Sequence, residues 1–418
     1  MFDVQKVRGD FQFFSLNPEL VYIDNAATTH KPKVVIDSLV NYYTKSNSNV
    51  HRGTYASALA TTHNYENSRK AVQGFLSAKS SEEIIFTKGT TDSINLVAQS
   101  LISSINPSSV GTKSGLGECI LKAGDEILLS QMEHHANIVP WQIISKKYQL
   151  TIKYIPLDAN LNLDLQEYKK LLNPKVKLVS LCHVSNTLGI INPIKKITEL
   201  AHQNGSLVLV DGAQAVGHMK VSVEQLDVDF YCYSGHKVYS PTGVGVLYGK
   251  KSYLIKMPPV AGGGDMIESV DYFNTDFNQL PYKFEPGTPN IAGVIGLNQG
   301  IKYYQNILDD SLVNYENQLL KHLHNELSRL SKVKLIAGTN QKLPIQSFTV
   351  NGVHPQDLDF YLASKNVCIR TGYHCTQPLL DMLGYENGVC RVSLAMYNTA
   401  EEVDQFIFWL KKGMEILA

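Results

Sequence analysis

Short β-branched runs alternate with longer segments of helical spacing through most of this chain, and few architectures accommodate that rhythm. "VYID", "EEIIFT", "DEILLS", "TIKYIP", "VKLVSLCHV", "SLVLVD" and "DFYCYS" read as strands, with "GVGVLYG" following as another. Between them "TTDSINLVAQSLI", "NIVPWQIISKKY", "LDLQEYKKLL" and "PIKKITELAHQNG" carry helical periodicity. Strand–helix alternation implies a mostly parallel sheet covered by helices on both faces, and near-continuous apolar strands such as "SLVLV" suit burial on both sides.

The pattern changes after about residue 300. "SLVNYENQLLKHLHNELSRL" reads as a long amphipathic helix, "VKLIAG" and "IQSFTV" as strands, and "HPQDLDFYLASKN" and "TAEEVDQFIFWLKKGMEIL" as helices. Thr399, with Glu401 and Glu402 behind it, is a start signal for the last. The expected organisation is an N-terminal segment (1–20) packing with a small domain, a large domain (21–300), and a smaller α/β C-terminal domain (301–418). "INPSSVGTKSGLGE", residues 105–118, is Ser/Gly-rich and patternless, and reads as a surface loop.

Lys plus Arg equals Asp plus Glu at 38 each, so there is no basic footprint for nucleic acid. No apolar run reaches bilayer length, which argues against a membrane partner. The six cysteines, Cys119, Cys182, Cys232, Cys368, Cys375 and Cys390, form no CxxC pair and no zinc spacing. They do not resemble a disulfide framework, no metal site is expected, and a reducing, cytoplasmic setting is the simpler reading. The N-terminus lacks the apolar core of a secretory signal.

Chemistry concentrates on the expected carboxyl rim of the sheet, where ligands of open α/β folds gather. Asp211 ends "SLVLVD", and Lys237 ends "DFYCYSGHK". Alone, Asp211 would read as a turn cap. An acid and an amine on one rim also suit pyridoxal phosphate, with the lysine as covalent tether and the acid keeping the pyridine nitrogen protonated. "FTKGTTDSINL" offers a phosphate cup, in which Gly89, Thr90 and Thr91 open a helix whose N–H groups and dipole favour anions. Ser234 and His236 add donors, and His134 supplies an aromatic neighbour for a planar ring.

Taken together, these segments and "YIDNAATTHKP", "VHRG", "HVSNTLGIINP", "LVDGAQAVGH", "FEPGTPNIAG", "IRTGYHC" and "CRVSLAMYNTAEEVD" resemble the class V aminotransferases of the fold-type I pyridoxal phosphate enzymes. More narrowly they resemble the SUF-type (group II) cysteine desulfurases, over nearly the whole chain. The resemblance implies a seven-stranded, mostly parallel sheet in the large domain. It implies Lys237 as the Schiff-base lysine, Asp211 on the pyridine nitrogen and Gln214 on the phenolic oxygen. His134 would stack on the ring, and Thr90, Thr91, Ser234 and His236 would hold the phosphate, with Thr288 reaching it from a partner subunit. Asn186 and Arg391, with Arg370 nearby, would anchor the substrate carboxylate, for which a guanidinium is the bidentate partner. Cys375, in a polar loop that argues against burial, would attack the sulfur of L-cysteine and carry a persulfide. Cys182, Cys232, Cys368 and Cys390 sit in apolar runs and read as structural. A homodimer serving iron–sulfur cluster assembly, with a SufE- or SufU-like sulfur acceptor, is implied in the same way.

Two departures stand out: Tyr373 and Tyr55 occupy positions where the family often has histidine. The rival readings are a selenocysteine lyase, distinguished by comparing turnover on selenocysteine and cysteine, and an aminotransferase, which would not need Cys375. A non-catalytic scaffold of the sulfur pathway would require a decayed cofactor site.

Overall fold

The computed structural model describes residues 2–102, 120–338 and 341–417. The 105–118 loop expectation, and Cys119, lie outside the described residues. The first strands are β1 (Val21–Tyr22), β2 (Ile84–Thr87), β3 (Glu126–Ser130), β4 (Thr151–Ile155), β5 (Val176–Cys182), β6 (Leu207–Asp211), β7 (Phe230–Ser234) and β8 (Gly245–Gly249). Seven of them form one sheet in the order β2-β8-β7-β6-β5-β3-β4. β7, β6, β5, β3 and β4 run parallel, whereas β8 is antiparallel to both of its neighbours.

The apolar strands feed two cores at once. In β6, Leu207 and Leu209 pack into the cluster that includes Trp141 and Leu101, while Val208 and Val210 enter the opposite one with Leu181 and Tyr231. β7 divides likewise, Phe230 and Cys232 against Tyr231 and Tyr233. Two-sided burial is why these strands read as unbroken apolar runs.

β9 (Ile267–Val270) and β10 (Thr275–Phe277) form a separate antiparallel pair. The smaller C-terminal α/β domain contains β11 (Val333–Ile336), β12 (Ile345–Val350), β13 (Val367–Cys368), β14 (Arg370–Gly372) and β15 (Val389–Ser393). Its antiparallel sheet has the order β11-β12-β15-β14. Leu319 and Leu323, Leu358, and Phe406 and Leu410 from its three main helices bury with Phe348 and Val392 of the sheet. The terminal helix begins where expected, with Glu402 N–H on Thr399 Oγ1 at 3.3 Å and Thr399 N–H on Glu402 Oε2 at 3.0 Å, a reciprocal cap.

One strand expectation is corrected. "VYID" does not join the large sheet; β1 pairs in parallel with β13, and Val21 and Ile23 bury in the C-terminal core. β8 completes the seven strands instead. It follows β7 after a short turn, so that pairing closes a small loop.

Candidate active site

The carboxyl ends of β2, β3, β5, β6 and β7 share one rim. Asp211 closes β6 in register with Cys182 of β5 and Cys232 of β7. After β7, a single 3₁₀ turn (Gly235–Lys237) lifts Lys237 over that rim. After β2, Gly89 leads into the helix Thr90–Ile102. Its first turn is locked to the lysine segment, since Thr90 N–H donates to Ser234 Oγ at 2.9 Å and the two hydroxyl oxygens lie 2.9 Å apart.

A cavity of about 220 Å³ opens on this rim. All but one of the residues to which the resemblance gives a binding or catalytic role line it: Thr90, Thr91, His134, Asn186, Asp211, Gln214, Ser234, His236, Lys237, Arg370, Cys375 and Arg391. Thr288 does not. It is exposed on the same chain's surface beside a second cavity, with Asn49 Nδ2 at 3.4 Å from its hydroxyl.

Burial sets the charge states here. It pushes the Lys237 ammonium down to about 8, against the opposing pull of Asp211 and with help from Arg391 and Arg370. Burial raises the Asp211 carboxyl, although Ala213 N–H, 2.9 Å from Oδ1, and Lys237 both favour its anion. His134 is driven down to about 3, first by burial and then by Lys237, and is a neutral ring at working pH. His236 falls to about 4 for the same two reasons. Gln214 spends one amide N–H on Ala26 O at 2.9 Å.

The C-terminal domain contributes two arginines in direct cross-strand register, Arg370 on β14 and Arg391 on β15. Like charges placed opposite each other destabilise a sheet. Part of the cost is offset by Asp24, whose Oδ1 accepts from Arg391 Nη2 at 2.9 Å. Arg391 Nη1 donates to Asn186 O at 3.1 Å, and its buried Nε has no partner. A fully buried guanidinium with a spare donor, next to a second cation, has the chemistry to bind a small carboxylate.

Cys375 sits in a constrained turn. His374 and Cys375 adopt φ of 50° and 58°, the left-handed region that residues with a Cβ rarely occupy. The turn is pinned on both sides. Cys375 O accepts His135 N–H at 2.7 Å, Thr376 Oγ1 meets Thr187 Oγ1 at 2.8 Å, and Asn186 Nδ2 donates to His374 O at 2.8 Å. The buried His374 ring bonds Val389 O at 3.1 Å. Tyr373, one of the two departures, donates its hydroxyl to Glu386 O, bracing the outer side of the turn. Tyr55 is exposed at the start of the helix Ala56–Leu76, away from the cavity lining.

Asp24 was not singled out as a site residue. The available signal was an acid directly after an apolar strand, in "VYID". Cys182 is buried in the core and also lines the cavity, paired in register with Asp211. Burial, then Glu133 and Asp211, keeps its thiol protonated. Cys368 is half-buried rather than core, across from Tyr22 at the strand pairing with β1.

Comparison with known proteins agrees with this geometry. The class-V aminotransferase family model matches residues 21–406. A probable cysteine desulfurase of Halalkalibacterium halodurans is 42% identical over 396 residues, covering 95% of this chain and 92% of the relative. Another from Vibrio cholerae is 40% identical over the full length of both chains. The crystal structure of the Escherichia coli cysteine desulfurase CsdA superposes with a TM-score of 0.89 at 35% identity, covering 100% of both chains. The apo cysteine desulfurase of Thermococcus onnurineus NA1 gives 0.90 at 37% identity, covering 99% of this chain and 98% of that one. The chain belongs to the class-V aminotransferase family and, within it, to the cysteine desulfurases.

Proposed function

We propose that this protein is a pyridoxal phosphate-dependent cysteine desulfurase of the SUF (group II) type. In this reading it acts as a cytoplasmic homodimer and passes sulfur to a SufE- or SufU-like acceptor for iron–sulfur cluster assembly. The observation that carries the reading is the convergence of a thiol, an amine and a carboxylate receptor on one cavity: Cys375, Lys237 and Arg391.

The residues fit the cofactor. Among the described residues nothing hydrogen-bonds the half-buried Lys237 side chain, Asp211 shares its cavity, and the Thr90 helix presents its N-terminus to the same space. Lys237 would hold the cofactor covalently, with Asp211 on its ring nitrogen, Gln214 on its phenolic oxygen and His134 on its face. Thr90, Thr91, Ser234 and His236 would bind the phosphate, with Thr288 of a second copy. Pyridoxal phosphate, when bound, supplies an electron-withdrawing ring that accommodates the electron pair left when the substrate's α-proton is removed.

The chain's own groups perform the remaining work. Arg391, oriented by Asp24 and Asn186 O, grips the substrate carboxylate with its free Nε. The second amide N–H of Asn186 and the Arg370 charge assist. The amine of Lys237, lowered to about 8, moves the α-proton. Cys375 Sγ gives up its proton and bonds to the substrate sulfur as the Cβ–Sγ bond breaks, leaving that bond's electron pair on Cβ, where a proton later joins it. Protein-bound persulfide remains, and protons return to the carbon skeleton as alanine.

The braced turn around Cys375 supports the SUF assignment. A sulfur held this firmly stays in the cavity, so an acceptor must come to it. The test is Cys375→Ser incubated with L-cysteine. The variant should keep the cofactor's yellow colour and show no protein-bound persulfide by mass spectrometry. Persulfide found on another cysteine of this variant would move the nucleophile, and a turnover rate left flat by added acceptor would reject the SUF assignment.

A further inference from the structure

Away from the cavity, the most heavily bonded charge among the described residues is Arg69, on the helix Ala56–Leu76 and only 1% exposed. All of its guanidinium nitrogens are engaged. Nε donates to Glu66 Oε2 at 3.0 Å, Nη1 to Ile84 O at 2.9 Å and to Glu285 Oε1 at 2.6 Å, and Nη2 to Glu285 Oε2 at 2.9 Å. Its charge also lies 4.6 Å from the centre of the Phe86 ring. Glu285 is equally saturated, accepting Phe86 N–H at 2.7 Å and the Tyr65 hydroxyl at 3.2 Å besides. A buried ion pair adds little net stability over apolar packing of the same volume, so one this complete is better read as fixing a geometry.

The geometry it fixes is that of the segment Glu285–Asn290. Glu285 is clamped at one end. At the other, Asn290 Nδ2 donates to Gly243 O at 2.9 Å while its Oδ1 caps the helix Ile291–Ile307 at Gly293 N–H. Gly287 N–H is tied to Gly264 O at 2.9 Å. Pro286 and Pro289 stiffen the span. Thr288 lies between these anchors, exposed and outside the cavity that contains its own chain's Lys237. The nearby helices expose Val40, Tyr43, Tyr55 and Leu59, an apolar surface suited to a second copy.

We propose that Arg69 and Glu285 are positioning residues acting in trans: they hold Thr288 where it reaches the phosphate of the cofactor held by Lys237 of the other subunit. This rests on the dimeric reading above, in which Thr288 crosses between copies. The pair contacts no cofactor itself. It sets the affinity of the neighbouring site through the rigidity of the four residues between Glu285 and Asn290.

Mixed dimers test this. Cofactor-stripped R69M and E285Q homodimers, titrated with pyridoxal phosphate and followed by the yellow colour, should bind about tenfold more weakly than the wild type, one charge-assisted contact being lost. A dimer of one R69M chain and one K237A chain contains one lysine-bearing site, completed by an intact Arg69 on the partner. That single site should bind with wild-type affinity. Weak binding in the mixed dimer, equal to that of the R69M homodimer, would show that Arg69 serves only its own chain and would overturn the proposal. If R69M does not yield dimers by size-exclusion chromatography, E285Q mixed with K237A carries the same test, and unchanged affinity in the E285Q homodimer also overturns it. A T288A–K237A mixed dimer separates the premise. If its lysine-bearing site is weak, Thr288 does not act across the interface. If it is restored while R69M and E285Q are not, only the Arg69–Glu285 role falls.

Discussion

Replacing Arg391 by lysine keeps a cation at the carboxylate receptor and removes the fork. In the wild type, Nη2 is committed to Asp24 at 2.9 Å and Nη1 to Asn186 O at 3.1 Å, which leaves Nε for the substrate. A single ammonium cannot span all three directions, and in this cavity it will be drawn to Asp24. The substrate then loses one hydrogen bond between charged groups, about 1.5–3 kcal/mol. That corresponds to a fall of roughly ten- to a hundredfold in kcat/KM. The carboxylate does not react, so its contact is similar in ground and transition states, and the loss should appear mainly as a raised KM for cysteine with kcat changed by only a few fold. Steady-state alanine formation measures both constants, and cofactor titration supplies the control. Arg391 bonds none of the groups assigned to the phosphate cup, so the cofactor's affinity and colour should stay unchanged. An unaltered KM, or a loss of cofactor binding parallel to the loss of activity, would refute the assignment of Arg391 as substrate receptor.

Two further outcomes follow from the electrostatics and the backbone. Lys237→Met should stabilise the cofactor-free protein at neutral pH, because an amine held near 8 instead of 10.5 is penalised whenever it is protonated. The penalty, on the order of 3 kcal/mol, is complete below pH 8 and fades between pH 8 and 10.5, so denaturation midpoints of variant and wild type should converge as pH rises through that window. Gly388→Ala should destabilise by at least about 2 kcal/mol, because its φ is +73° and an added Cβ would lie 2.5 Å from the backbone of Gly372. Since Gly372 leads into the turn bearing Cys375, persulfide formation should fall more than cofactor affinity, read by mass spectrometry and titration.

Much of the site was legible because its chemistry sits at strand ends. Asp211 and Lys237 close consecutive apolar runs, and parallel strands bring their carboxyl ends to one rim whatever the details of packing. The Gly89–Thr90–Thr91 turn announces a helix N-terminus by composition alone. The membership of the large sheet was less legible. "VYID" has the pattern of a strand, but pattern does not name a partner, and β1 found one near residue 367.

The order of strands and helices, the cation–acid pair on the rim and the anion cup are local properties, written in hydrophobic period and turn chemistry. Contacts between distant parts of the chain are not written there. Folding brought Asp24 to Arg391 across 367 residues, set Arg370 opposite Arg391, put Cys182 in the cavity lining and left Thr288 exposed. Each is a contact or placement set by packing between segments far apart in the chain, which no run of neighbouring residues encodes.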